Sequence, residues 1–192
     1  MSGLTIGYVH REEVSADFAL SLALAARDFR AGVLPTRTTR IAYGRNQLLQ
    51  AFLSTGSEWL LMVDTDILFT VDDVAALLRL GAPAACGWYN DAEGLSVARG
   101  WAPDERRMAP IDLPAEPTEI AGVGAGFFLV HRVVLQKMDD GSDPEFPWFA
   151  EGRRGGRSIG EDYEFCYRLH DRGIPLLLDP SVHVGHRKCH TV

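Results

Sequence analysis

The sequence predicts an α/β fold: a mainly parallel central sheet between two layers of helices, a three-layer sandwich in a single domain. Three observations predict it. Apolar runs of strand length alternate along the chain with segments of helical periodicity, the order that builds parallel sheets. One of these runs, Trp59-Leu60-Leu61-Met62-Val63, is apolar without interruption, as a strand buried on both faces requires. The 192 residues carry no internal repeat and no dividing linker, a length that suits one domain.

The elements follow in order. Residues 4–9 read as the first buried strand. Ser15 opens a helix in which Phe18, Leu22, Ala25 and Phe29 recur at helical spacing, closing near Gly32. A second helix over 45–53 carries Leu48, Leu49, Phe52 and Leu53, with Gly56 after it. The strand at 59–63 stops abruptly at Asp64-Thr65-Asp66. Thr70 with Asp73 has the spacing of a capping box for a helix over 71–80, and 83–88 is the next strand. Residues 90–118, rich in Pro, Gly and charged side chains, read as a surface excursion. Gly122-Val123-Gly124-Ala125-Gly126 leads into a strand at 127–130 and a short helix from Arg132. Residues 139–160 read as loop, with the Gly/Arg-rich piece Gly152-Arg153-Arg154-Gly155-Gly156-Arg157. A helix over 161–172 closes at Gly173, a strand follows at 174–178, and Asp179-Pro180 turns the chain.

Composition excludes several classes. Lys and Arg number 19 against 26 Asp and Glu, a net charge of −7, which argues against a nucleic-acid coat or a membrane-surface protein. A hydrophobic content of 46% argues against a disordered chain. The cysteines, Cys86, Cys166 and Cys189, are scattered and form no C-x-x-C pair, so no zinc ribbon or redox motif is present; they read as reduced thiols of a cytoplasmic protein. The first residues have no basic n-region and read as a strand, not a signal peptide. No stretch approaches the roughly 18 apolar residues that span a bilayer. The expectation is a soluble, cytoplasmic protein.

Ligands of such sheets bind past the carboxyl ends of the strands, where Asp64 and Asp66 fall. Two carboxylates this close repel unless a cation or donor groups stabilise them, and hard oxygen ligands suit Mg²⁺ or Mn²⁺. The alternative is that both acids cap the following turn. Asp162 sits three residues before Phe165 on the first turn of its helix and leans toward the sheet. An ionised carboxylate there is a usable general base, or, with Glu161, an ordinary N-terminal helix charge. His183 and His186 follow the last strand, and at three residues apart only one of them faces the crevice unless Gly185 breaks the strand. An imidazole there could complete a metal site on Asp66. Gly122, Gly124 and Gly126 would admit a sugar close to the backbone, or only a tight turn. The Phe146-Pro147-Trp148-Phe149 segment could offer Trp148 as an acceptor platform, or belong to the core. The arginines of 153–157 could close over phosphates or form a solvated loop.

In that order and spacing, Arg45-Asn46, Asp64-Thr65-Asp66, Gly122 to Phe127, Gly160 to Cys166 and Leu178 to His186 resemble the GT-A fold glycosyltransferases, most closely the inverting family 2 type. The resemblance runs from residue 4 to about 188 and implies a Rossmann-like sandwich. It implies a donor half over about 1–90 and an acceptor-side half over about 91–192. It implies a nucleotide-sugar donor, a UDP- or GDP-sugar, and Mn²⁺ or Mg²⁺ as cofactor. By position, Asp66 and His186 match metal ligands, with Asp64 near the metal or the donor ribose. Asp162 matches the catalytic base and Glu161 a residue orienting the acceptor. Arg45 matches a basic residue near the donor diphosphate, with Thr65 and His10 on the donor side. Gly124, Gly126 and Trp148 fall on the acceptor side. The acceptor itself (glycan, modified base, protein or small molecule) and the oligomeric state are not legible. The competing readings are a metal-dependent nucleotide-sugar hydrolase or nucleotidyltransferase, and a non-catalytic sugar-nucleotide-binding module.

Overall fold

The computed structural model describes residues 3–102, 107–141 and 143–187. In chain order its first elements are β1 (Leu4–His10), α1 (Ala16–Phe29), β2 (Gly32–Arg37), α2 (Ile41–Leu53), β3 (Trp59–Val63), β4 (Ile67–Leu68), α3 (Val71–Leu80) and β5 (Ala84–Trp88). The excursion that follows holds β6 (Arg99–Trp101), β7 (Met108–Pro110) and β8 (Thr118–Ile120). Then come β9 (Phe127–His131), α4 (Arg132–Met138), β10 (Gly152–Arg154), β11 (Arg157–Ile159), α5 (Glu161–Asp171), β12 (Leu176–His183) and β13 (Gly185–His186). Lys188 and Cys189, at the end of the chain, lie outside the described residues.

Seven strands form the central sheet in the order β2-β1-β3-β9-β5-β12-β8. β1 pairs in parallel with β2 and with β3, and β5 with β12. β9 is inserted antiparallel between β3 and β5, and β8 closes the far edge antiparallel to β12. Five of the seven strands therefore share one direction, the mainly parallel sheet that the sequence predicts.

Helices cover both faces. Successive strand residues point to opposite sides, and β9 records it. Phe127 meets Phe69 at 5.3 Å on the side of α1 and α3, while Phe128 meets Phe165 of α5 at 5.6 Å on the other side. Burying each such ring stabilises the fold by roughly 1.5–3 kcal/mol. The ends of α1 and α3 are fixed locally. Ser15 Oγ accepts the Phe18 N–H, and Thr70 and Asp73 form the reciprocal capping box that their spacing predicts.

Several expectations change. β2 is an additional strand; it is an edge strand, mostly exposed and containing Pro35, so it lacks a continuous apolar signal. α2 begins at Ile41, ahead of the predicted start at residue 45, which places Arg45 and Asn46 in its interior. The excursion 90–118 and the loop 139–160 each contain a two-stranded hairpin, β6–β7 and β10–β11. β12 runs on through Asp179 and Pro180, where the sequence suggests a turn. No described helix is long and apolar enough to cross a membrane.

Candidate active site

The chain leaves β1 on both sides, to β2 and to β3, and at such a switch point a crevice opens past the strand ends. Here it is a cleft of about 340 Å³ whose walls include His10, Thr38, Asp64, Thr65 and Asp66. The carboxyl end of β3 is anchored. Asp64 N–H donates to the Gly126 carbonyl at 2.9 Å, and the Asp64 carbonyl accepts the Ile67 N–H at 3.1 Å, turning the chain over Thr65 and Asp66.

After that turn β4 pairs with β13, with Ile67 opposite His186, and Arg187 N–H donates to the Asp66 carbonyl at 2.7 Å. This short ladder brings the His186 Nε2 to 3.2 Å from Asp66 Oδ2. The other ring nitrogen, Nδ1, lies 2.8 Å from the Asn90 carbonyl. A carbonyl only accepts, so Nδ1 carries the hydrogen, and in the neutral ring Nε2 turns its lone pair toward the Asp66 carboxylate. Two acceptors held face to face call for a cation between them, a proton or a metal ion. A backbone carbonyl fixing the tautomer of a ligating histidine is the usual outer support of a metal site. Cis ligands about 2.1 Å from an octahedral ion lie about 3.0 Å apart, so the pair fits Mg²⁺ or Mn²⁺. Among the described residues no group of three or more His, Cys, Asp and Glu could hold a metal. The protein supplies two ligands, and the remaining positions would fall to phosphate oxygens and water, the common arrangement for Mg²⁺. His183 goes elsewhere; its ring stacks flat on Trp88 at 3.8 Å.

Arg45 joins two other candidates. Its Nη2 reaches both Asp64 oxygens at 3.0 and 3.1 Å, and its Nη1 reaches Glu161 Oε1 at 2.8 Å. The guanidinium is buried and lies 5.3 Å from the Phe149 ring, which stacks on Phe165. A residue matched to the donor diphosphate is thus in place as a clamp between two acids, with almost no surface of its own. Burial pushes the Glu161 and Asp162 carboxyls above the usual range, and the Arg45 charge opposes this. The Tyr163 N–H, 2.8 Å from Asp162 Oδ1, also favours the ionised form. Asn46 holds this arrangement from behind. Its amide accepts from the Trp148 and Phe149 N–H groups at 3.1 Å each and donates to the Ala42 and Phe149 carbonyls at 2.7 Å each.

Trp148 itself is buried, and its indole N–H donates to the Leu135 carbonyl. It has no exposed face for an acceptor, so that expectation is corrected to a core role. Gly124 and Gly126 have a protein neighbour where a sugar was expected: a Cβ on either would lie 2.6 or 2.7 Å from the Tyr89 hydroxyl oxygen. Tyr89, at the end of β5, was missed by sequence reasoning, as was the Asn90 carbonyl. Its ring meets His186 at 5.0 Å, and burial followed by the Asp64 charge pushes its hydroxyl pKa up. The available signal was position: Tyr89 and Asn90 follow a strand parallel to β3 and so fall at the same end of the sheet as Asp64.

No protein-family model matches the sequence, and no curated protein matches it. Solved structures do. The protein A197 from STIV matches with TM-score 0.64 and 17% identity over 100% of this chain and 97% of its own. GalNAc-T7, solved with UDP, GalNAc and Mn²⁺, matches with TM-score 0.67 and 14% identity over 98% of this chain, which spans 44% of it. A glycosyltransferase involved in glycosylating the major capsid of PBCV-1 matches with TM-score 0.50 and 13% identity over 93% of this chain and 82% of its own. The fold is GT-A-like.

Proposed function

We propose that the chain is a metal-dependent glycosyltransferase that moves a sugar from a nucleoside-diphosphate sugar, a UDP- or GDP-sugar, to a hydroxyl acceptor with inversion. One observation carries the reading: Asp66, which lines the cleft past β1 and β3, meets the tautomer-fixed His186 at 3.2 Å. The likeness to glycosyltransferase folds supports it.

Residues of about 1–90 form the donor half, with His10 and Thr65 beside the nucleotide, and about 91–192 form the acceptor-side half. Asp66 and His186 would hold Mn²⁺ or Mg²⁺, and the ion would supply positive charge to the departing diphosphate. Asp162 accepts the proton of the acceptor hydroxyl. The hydroxyl oxygen bonds to the anomeric carbon from the face opposite the diphosphate. The carbon–oxygen bond to the β-phosphate breaks, and its electron pair departs with the nucleoside diphosphate. Arg45 holds Asp64 and Glu161 in register and offsets their charge, which would otherwise repel both Asp162 and the donor.

Incubation with Mn²⁺, UDP- and GDP-sugars and a panel of hydroxyl acceptors, followed by anomeric NMR, tests the reading. The expected product has the configuration opposite to the donor, and Asp162→Asn abolishes it while retaining nucleotide binding. Free sugar released at one rate with and without acceptor would make the protein a hydrolase instead.

A further inference from the structure

A second cleft, of about 350 Å³, shares no lining residue with the first. Its charged walls are Arg99, Arg107, Arg154 and Arg157, and none of its lining residues is acidic. In a chain of net charge −7 this is a local reversal. The remaining wall includes Gly160 and Tyr163, which flank Glu161 and Asp162 in the chain, so the cleft abuts the proposed base.

Two of these arginines, Arg154 and Arg99, are held in place. Arg154 is gripped by Glu164 at 2.9 and 3.0 Å and by Asp171 at 3.1 Å, and its guanidinium lies 4.7 Å from the Tyr167 ring. Arg99 lies 5.6 Å from the Tyr163 ring and donates to the Ser96 and Ala98 carbonyls, acceptors without net charge. Gly152 lacks the side chain that would collide with Glu164, which lets β10 sit against α5. The hairpin is therefore pinned and is no free loop. Its turn, Gly155-Gly156, has φ of 57° and 80°, the positive values a tight two-residue hairpin needs, and it sets Arg157 directly opposite Arg154. Like charges opposite each other across strands are destabilising. Glu164 and Asp171 offset Arg154; among the described residues no carboxylate pairs with Arg157, which is exposed.

We propose that this cleft is the acceptor subsite and that the acceptor is a small molecule carrying a phosphate or carboxylate, seated between Arg99 and Arg157 with its hydroxyl toward Asp162. The assignment of Asp162 rests on the glycosyl-transfer reading; the anion site rests on the arginines. Guanidinium groups bind an oxyanion by charge-assisted hydrogen bonds, here one held by backbone carbonyls, Arg99, and one whose charge no described carboxylate offsets, Arg157. The separate basic cleft offsets the repulsion between an anionic acceptor and an anionic donor.

NMR of the ¹⁵N-labelled chain at constant ionic strength tests it, with inorganic phosphate, glucose 6-phosphate, glucuronate and glucose as probes. Glucose 6-phosphate, glucuronate or both shift amides of residues 154–160 and 163, and whichever shifts them names the group; glucose does not. Arg157→Gln and, separately, Arg99→Gln weaken that binding about tenfold. Absence of any anion-dependent shift there, or binding unchanged in Arg157→Gln, would overturn the proposal. Nucleoside diphosphate with Mn²⁺, added in a separate titration, reports on residues 9–13 and 64–66. A failure of the donor reading is thereby seen at different amides from a failure of the anion site.

Discussion

Asp66 and His186 are 120 residues apart in the chain, yet Oδ2 of one lies 3.2 Å from Nε2 of the other. The β4–β13 ladder makes the contact, and the Asn90 carbonyl chooses which imidazole nitrogen faces the acid. Under the proposed function this pair would hold the divalent cation. Titrating Mn²⁺ into the labelled protein broadens the ring signals of His186 at a lower metal-to-protein ratio than those of His183, which is stacked on Trp88. Asp66→Ala removes the effect. Equal broadening of both rings would place the ion elsewhere.

Arg45 is the buried cation on which Asp64 and Glu161 depend, with side-chain exposures of 6%, 32% and 18% respectively. Removing one partner of a buried pair leaves charge uncompensated. Arg45→Met costs about 3 kcal/mol in urea unfolding near neutral pH. The loss shrinks as pH falls, because Glu161, whose carboxyl pKa is raised chiefly by burial, then takes up a proton. A loss that is constant with pH would mean the effect is packing and not charge.

Asp162 and Glu161 both have their carboxyl pKa values raised, chiefly by burial. A base works ionised, so kcat/KM for transfer rises with pH through a limb that lies above the ordinary aspartate value of about 4. The linkage has the opposite sign for stability. A folded-state carboxyl pKa above the unfolded one means the native state binds the extra proton, so stability falls as pH rises through that window. Asp162→Asn, which abolishes transfer, removes the Asp162 share of the stability dependence. A rate profile flat across the acid range would remove Asp162 from the base role.

Gly126 and Gly124 leave room for Tyr89, whose hydroxyl oxygen would stand 2.7 and 2.6 Å from an added Cβ. Gly126→Ala destabilises by about 1–3 kcal/mol as the buried ring is displaced. Adding Tyr89→Ala recovers about 1 kcal/mol relative to the sum of the single changes, a coupling that thermal denaturation of the four chains measures. Additive losses would show that the glycine matters for its backbone alone.

The legible parts of the fold were those with concentrated apolar signal. The run Trp59–Val63, the helical spacing of Phe18 with Ala25 and the Thr70 capping box announce themselves locally. Direction does not: nothing in Phe127-Phe128-Leu129-Val130 tells that β9 runs against its neighbours, since alternation reads the same both ways. β2 hides because this edge strand is mostly exposed, and the two hairpins hide because their strands are only 3 residues long. At the site, Asp64-Thr65-Asp66 and Glu161-Asp162 stand at strand and helix ends that a sequence can locate. The pairing of Arg45 with both acids and the approach of Tyr89 to Gly126 are tertiary contacts over tens of residues, and no local pattern encodes them.

Calorimetric titration of UDP and of GDP, with Mn²⁺ and with a chelator, bears most directly on whether the crevice past β1 and β3 takes a nucleoside diphosphate through a metal ion on Asp66 and His186. The account predicts binding of one nucleotide that needs the divalent ion and is weakened at least tenfold in Asp66→Ala and in His186→Ala. Binding of equal affinity in the chelator, or undiminished in both variants, would contradict it.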